Sequence, residues 1–107
     1  MDLNLTVLAG RLATDAEVRT FESGATLARL LVTVRSDGPR RRIDVVPVVM
    51  WDPDMAEVAK WKKGERVWVA GAVRRRFFAD DGGGRRSGIE VVAHEVALNK
   101  EEVSLDE

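Results

Sequence analysis

The sequence contains no cysteine and a single histidine, His94, among its 107 residues. The absence of cysteine excludes a disulfide framework and a thiolate metal site, and one imidazole is too few for the common zinc sites. No apolar run approaches the roughly 20 residues of a membrane-spanning helix, and the first residues lack the charged and apolar blocks of a secretion signal. We therefore expect a soluble, cytoplasmic protein with no metal, no cofactor and no membrane partner.

The chain also lacks the residue patterns of common enzyme sites. The glycines at 82–84 precede Arg85 and Arg86, without the lysine–hydroxyl pair of a phosphate-binding P-loop. His94 and Glu95 would point to opposite faces of a strand, and no serine or cysteine nucleophile accompanies them. These observations favour a protein that is not an enzyme.

Length and charge indicate one mildly basic domain. The 107 residues are 45% apolar, enough for one core and too few for two ordinary domains. The net charge of −1 hides an uneven distribution, because residues 101–107 hold four of the 18 acidic residues and no base. We predict a domain over residues 1–100 and a short acidic tail over 101–107. Arginine supplies 13 of the 17 basic residues, which suits phosphate binding but is also typical of a GC-rich genome.

The segment 65–78 (ERVWVAGAVRRRFF) reads as a long strand with two different faces. Alternate side chains of a strand point to opposite sides. The odd positions predict a face in the core: Val67, Val69, Gly71 and Val73. The even positions Arg74, Arg76 and Phe78 place cations beside a ring, which is typical of a nucleic-acid surface. A solvated edge is the alternative, and Arg75 is expected to point the other way.

Apolar patterns and turn residues predict the remaining elements. Further strands are expected over 3–12, 25–35, 43–51 and 89–98, with 17–19 extending the sheet, and loops over 36–42 and 79–88. Asp52 as N-cap and Pro53 as first residue predict a helix that ends near Lys63. Five strands with a short helix between the third and fourth match an all-β fold, the five-stranded Greek-key OB-fold barrel.

Four segments together resemble the bacterial single-stranded DNA-binding protein family over residues 3–98. They are LTVLAGRLATDAEVR, IDVVPVVMW, MAEVAKWKKGERVWVAGAVRRRFF and IEVVAHEVAL. The resemblance implies an OB-fold, usually assembled as a homotetramer, that coats single strands during DNA replication, recombination and repair. It also implies a location at the nucleoid.

The resemblance assigns roles to particular side chains. Trp51 and Phe78 match aromatic residues that end the third and fourth strands, so both are expected to stack on bases; a core ring is the alternative for Trp51. Arg74 and Arg76 match the cations before the second of these rings. Arg11 of the first strand is a further candidate for contact with DNA, with an ordinary surface arginine as the alternative. The remaining candidates lie in or next to the flanking loops, where a solvated face is the alternative: Arg35, Arg40, Arg42, Arg85 and Arg86.

Several positions depart from the family pattern. Gly38 and Arg40 lie where many relatives carry a loop aromatic, and Val45 replaces another. Fewer rings imply fewer stacked bases and a steeper loss of affinity with salt. The chain stops soon after Leu98, where typical members continue into a long tail that recruits other proteins, so we expect little recruitment of that kind.

We therefore predict a sequence-independent binder of single-stranded DNA. Two alternatives use the same barrel: an OB-fold module that makes protein contacts in a replisome or primosome assembly, and an RNA-binding OB domain.

Overall fold

A computed structural model describes residues 1–99, which form six strands and one short helix. In chain order they are β1 (Thr6–Leu12), β2 (Glu17–Thr20), β3 (Thr26–Asp37), β4 (Arg41–Trp51), α1 (Met55–Val58), β5 (Arg66–Ala79) and β6 (Arg85–Leu98). The strand order is β1-β5-β6-β4-β3-β2, and pairing of β1 with β3 closes a five-stranded barrel. The predicted OB-fold barrel with one short helix is confirmed. The predicted acidic tail, 101–107, lies outside the described residues.

The barrel interior is filled by alternate apolar side chains. The largest fully buried ones are Leu12, Leu30, Val32, Val48, Val67, Val69 and Val91. Val67, Val69 and Gly71 of the long strand face inward, as predicted. Val73 is 36% exposed, so its predicted core position is wrong. The reason is that β5 pairs with β1 only as far as Gly71 and then leaves the barrel with β6 alone.

Two hairpin arms project from the barrel, and both are longer than the sequence predicted. In the first arm (residues 34–44), β3 and β4 pair as far as Asp37 and Arg41, so the turn is only 38–40. In the second arm (residues 73–89), β5 and β6 pair as far as Ala79 and Arg85. The predicted loops 36–42 and 79–88 are therefore wrong in extent, because cross-strand hydrogen bonds satisfy backbone groups almost up to each turn.

The helix is much shorter than predicted. Its N-cap is Asp54 and not Asp52, and the Asp54 carboxylate accepts a hydrogen bond from the amide of Ala56 at 2.9 Å. The chain does not continue as a helix to Lys63, because other segments bind its backbone. The amide of Lys63 donates to the carboxylate of Asp15 at 2.8 Å, where a longer helix would use its own carbonyl.

Asp52 instead makes the turn between β4 and α1. Its φ of 48° lies in the left-handed region, which favours glycine, and aspartate is among the few other residues that tolerate it. Its amide donates to the carbonyl of Thr26 at 2.8 Å, and its carboxylate accepts from the amide of Thr26 at 2.9 Å. This aspartate therefore anchors the end of β4, next to Trp51, to the start of β3.

Candidate nucleic-acid interface

A groove runs over the outer surface of β3 and β4. Outward side chains pair across the two strands, with Leu27 opposite Trp51 and Arg29 opposite Val49. On one side β2 places Arg19 opposite Leu27. On the other side Val49, which is 5% exposed, lines the same cavity as Arg76 of the second arm. The groove contains a cavity of about 280 Å³, lined by Arg19, Phe21, Leu27, Arg29, Val49, Trp51, Arg76 and Glu90.

Trp51 lies at one end of this groove with half of its surface exposed. Its ring centroid is 5.5 Å from that of Phe21, and the two planes are tilted by 36°. The guanidinium of Arg19 lies 4.9 Å from the Phe21 ring centroid. Trp51 is 50% exposed and therefore is not the core ring that was the alternative. Stacking on Phe21 restrains the indole, so a planar ligand meets a largely pre-organised surface.

The second arm contributes the side chains that the alternation predicted. Arg74, Arg76 and Phe78 share one face of the arm. Arg76 lines the cavity and forms a loose ion pair with Glu90 at 3.9 Å. Phe78 is 45% exposed and lies opposite Arg86. A ring and two guanidinium groups therefore face the same side as the groove.

Besides Arg76, two of the predicted contact arginines have carboxylate partners. Arg42 donates from Nε to both oxygens of Asp44, each at 3.1 Å. Arg86 donates to Asp80 at 3.2 Å, and the same carboxylate accepts from the amides of the second arm's turn. These ion pairs lower the net positive charge that either arginine presents to a phosphate.

Four other candidate arginines lie away from the cavity. Arg11 donates to the carbonyl of Gly64 at 3.1 Å and lines a separate cavity together with Arg35. Arg40 lies in the turn of the first arm, and Arg85 begins β6 at the far end of the second arm. Of the predicted arginines, the structure brings only Arg76 into the Trp51 cavity.

The charge and chemistry of the cavity suit an anionic, unpaired strand. Its lining carries three guanidinium groups and one carboxylate, beside two rings. Among residues 1–99 no group of three or more acidic or histidine side chains is placed to hold a metal ion. The described part of the chain also has no helix long and apolar enough to cross a membrane.

Comparison with known proteins identifies the family of the chain. The model of the single-strand binding protein family matches residues 3–99. The chain belongs to this family. The single-stranded DNA-binding protein of Streptococcus pneumoniae serotype 4 (strain TIGR4) is 34% identical over 96 residues, which are 85% of this chain and 62% of that protein. Single-stranded DNA-binding protein 1 of Streptococcus agalactiae serotype III is 31% identical over 101 residues, 90% of this chain and 62% of the relative.

A solved structure supports the fold. A chain of the Plasmodium falciparum SSB complex with ssDNA superposes with a TM-score of 0.81 at 18% identity, covering 92% of this chain and 97% of that one. At this identity the likeness shows the OB-fold. The present chain spans about three fifths of the length of its streptococcal single-strand binding relatives.

The sequence analysis did not identify two of the three arginines that line the groove, Arg19 and Arg29, or its second ring, Phe21. The sequence did contain a signal for Arg29. It is a cation within the apolar strand 25–35, and it has the same parity as Arg35, so both side chains should lie on the outer face. Arg19 and Phe21 gave no comparable signal, since only the pairing of β2 with β3 brings them beside Trp51. Phe21 thus supplies a ring at a position where the family resemblance predicted none.

Proposed function

We propose that this chain binds single-stranded DNA without base specificity and protects it during DNA replication, recombination and repair. The observation that carries the proposal is the half-exposed Trp51 at the end of a groove bordered by Arg19, Arg29 and Arg76. Guanidinium groups attract phosphates, and a ring held at the groove surface stacks on an unpaired base.

The composition of the groove favours binding in any sequence. Every base has a π-face that can stack on Trp51, and arginine–phosphate contacts carry no sequence information. Among the described residues that line the cavity, none is asparagine or glutamine, the side chains that read adenine bidentately. The names of the streptococcal relatives and of the Plasmodium complex support the same ligand.

The proposed activity is binding without catalysis, in the cytoplasm and at the nucleoid where single strands arise. Tryptophan fluorescence during titration with poly(dT) tests it. We expect quenching by the single strand and little by the matching duplex. If each of the three cavity arginines neutralises one phosphate, affinity should fall about 20-fold between about 50 and about 200 mM salt.

Single substitutions assign the fluorescence signal to the groove. Quenching should persist in Trp68→Phe, whose indole lies on the outer side of β5, and should largely vanish in Trp51→Phe, which keeps a stacking ring. Absence of binding at low salt, or equal binding of duplex and single strand, would refute the proposal. Titration with poly(rU) decides the RNA alternative, because tighter binding of RNA would replace DNA as the ligand.

We also propose that the chain assembles with copies of itself, as a homotetramer. Val7 of β1 and Trp68 of β5 are 59% and 49% exposed on the outer side of these strands, and Leu5, just before β1, is 64% exposed. Within residues 1–99, β1 pairs with β3 only at Arg11 and Leu12, so most of one β1 edge has no partner strand. Exposed apolar surface and an open edge favour association. Light scattering should give a mass near four chains, and a monomer at micromolar concentration would contradict the proposal.

A further inference from the structure

The second arm has two faces, and the groove accounts for only one of them. Alternation along β5 places Arg76 and Phe78 on the groove side and Arg75 and Phe77 on the other. We call the latter the back face of the second arm; on β6 it continues with Ile89, which lies opposite Arg75. Beyond the barrel this face has no core to cover, so its side chains are open to solvent.

Phe77 dominates the back face and has cations on both sides. Its side chain is 61% exposed, against 45% for Phe78 on the groove side. The guanidinium carbons of Arg75 and Arg85 lie 6.0 and 5.9 Å from its ring centroid. These separations are at the outer limit of a cation–π contact, so little energy is lost if the guanidinium groups move aside.

The charges of the back face are not neutralised within the arm. The ion pairs that the described residues form on this hairpin are Arg76 with Glu90 and Arg86 with Asp80. Arg75 and Arg85 instead lie over the Phe77 ring. An exposed ring between two guanidinium groups has the same chemistry as the groove. Of the site residues predicted from the sequence, Arg85 alone belongs to this face.

We infer that the back face is a second binding site for single-stranded nucleic acid. The nucleic acid reaches it by leaving the groove and passing around the edge of the arm. Resting on the proposed function, this inference extends the strand's path beyond the Trp51 groove. A base stacks on Phe77 while Arg75 and Arg85 turn toward the flanking phosphates. A second copy of the chain fits less well, because it would bring the same uncompensated cations against each other.

The test compares a short and a long oligonucleotide on the full chain. Oligo(dT) of about 8 nucleotides fits within the groove of one OB-fold, whereas about 30 nucleotides can continue over the arm. Phe77→Ala should weaken binding of the long strand by about fivefold or more and leave the short strand unchanged. Phe78→Ala is the matched comparison on the groove side and should weaken both.

Charge variants give an independent readout. Arg75→Gln and Arg85→Gln should each lower the salt slope by about 0.7 for the long strand, with no change for the short one. Unchanged binding of the long strand by Phe77→Ala, or an equal loss for both lengths, would overturn the inference. A change of mass in light scattering would instead assign the face to contacts between copies. If neither oligonucleotide binds the wild-type chain, the proposed function fails as well. That result differs from failure of the inference alone, in which the wild-type chain still binds both oligonucleotides.

Discussion

Replacing Gly71 with alanine should destabilise the fold by about 3 kcal/mol or more, a large part of the roughly 5–15 kcal/mol that holds a domain together. Gly71 is buried where the pairing of β5 with β6 shifts register. A Cβ there would collide with the carbonyl oxygen of Val92 and lie 2.9 Å from the Cα of Ala93. Both are backbone atoms of a central strand, so relief requires β6 to move rather than a side chain to rotate.

Denaturant unfolding of matched glycine variants measures this effect. Gly38→Ala is the control, because a Cβ at Gly38 meets no atom within 4 Å in the turn of the first arm. We expect the control to change the free energy of unfolding by no more than about 0.5 kcal/mol. A Gly71→Ala variant as stable as Gly38→Ala would show that the two strands do not approach as closely as described.

Replacing Trp51 with alanine should weaken binding of oligo(dT) by about 2–3 kcal/mol, or about 30- to 150-fold. The variant loses the larger ring of the groove, and it also leaves Phe21 without the indole that it contacts at 5.5 Å. Trp51 is 50% exposed, so its removal takes little from the core and the fold should persist. Fluorescence anisotropy of a labelled oligonucleotide gives the affinity.

Two conservative variants separate stacking from general damage to the surface. Trp51→Phe keeps an aromatic ring and should lose less than about 1 kcal/mol of binding free energy. Trp68→Phe changes a tryptophan that does not line the Trp51 cavity and should bind as the wild type does. If Trp51→Ala, with an unchanged unfolding midpoint, binds as tightly as the wild type, Trp51 is not a stacking residue.

The alternating pattern predicted the strands well because it reports which face of each strand is buried. Val67 and Val69 were placed in the core from periodicity alone, and both are 1% exposed. Val73 continues the same pattern but is exposed, because a periodic sequence does not reveal where β5 loses its β1 partner. The helix was overestimated for a related reason: Asp15 lies 48 positions from Lys63, and local signals do not show that its carboxylate takes that amide.

By itself, the sequence determined the class of fold, the five barrel strands, the family resemblance and the shared face of Arg74, Arg76 and Phe78. These depend on residues close together in the chain, whose relative directions follow from the geometry of a single strand. Only the tertiary structure decided which cations surround Trp51. Arg19 and Arg29 reach the groove through the registers of β2 with β3 and of β3 with β4, and the adjoining ring is Phe21. Such registers result from packing across the whole barrel, so no local pattern of residues specifies them.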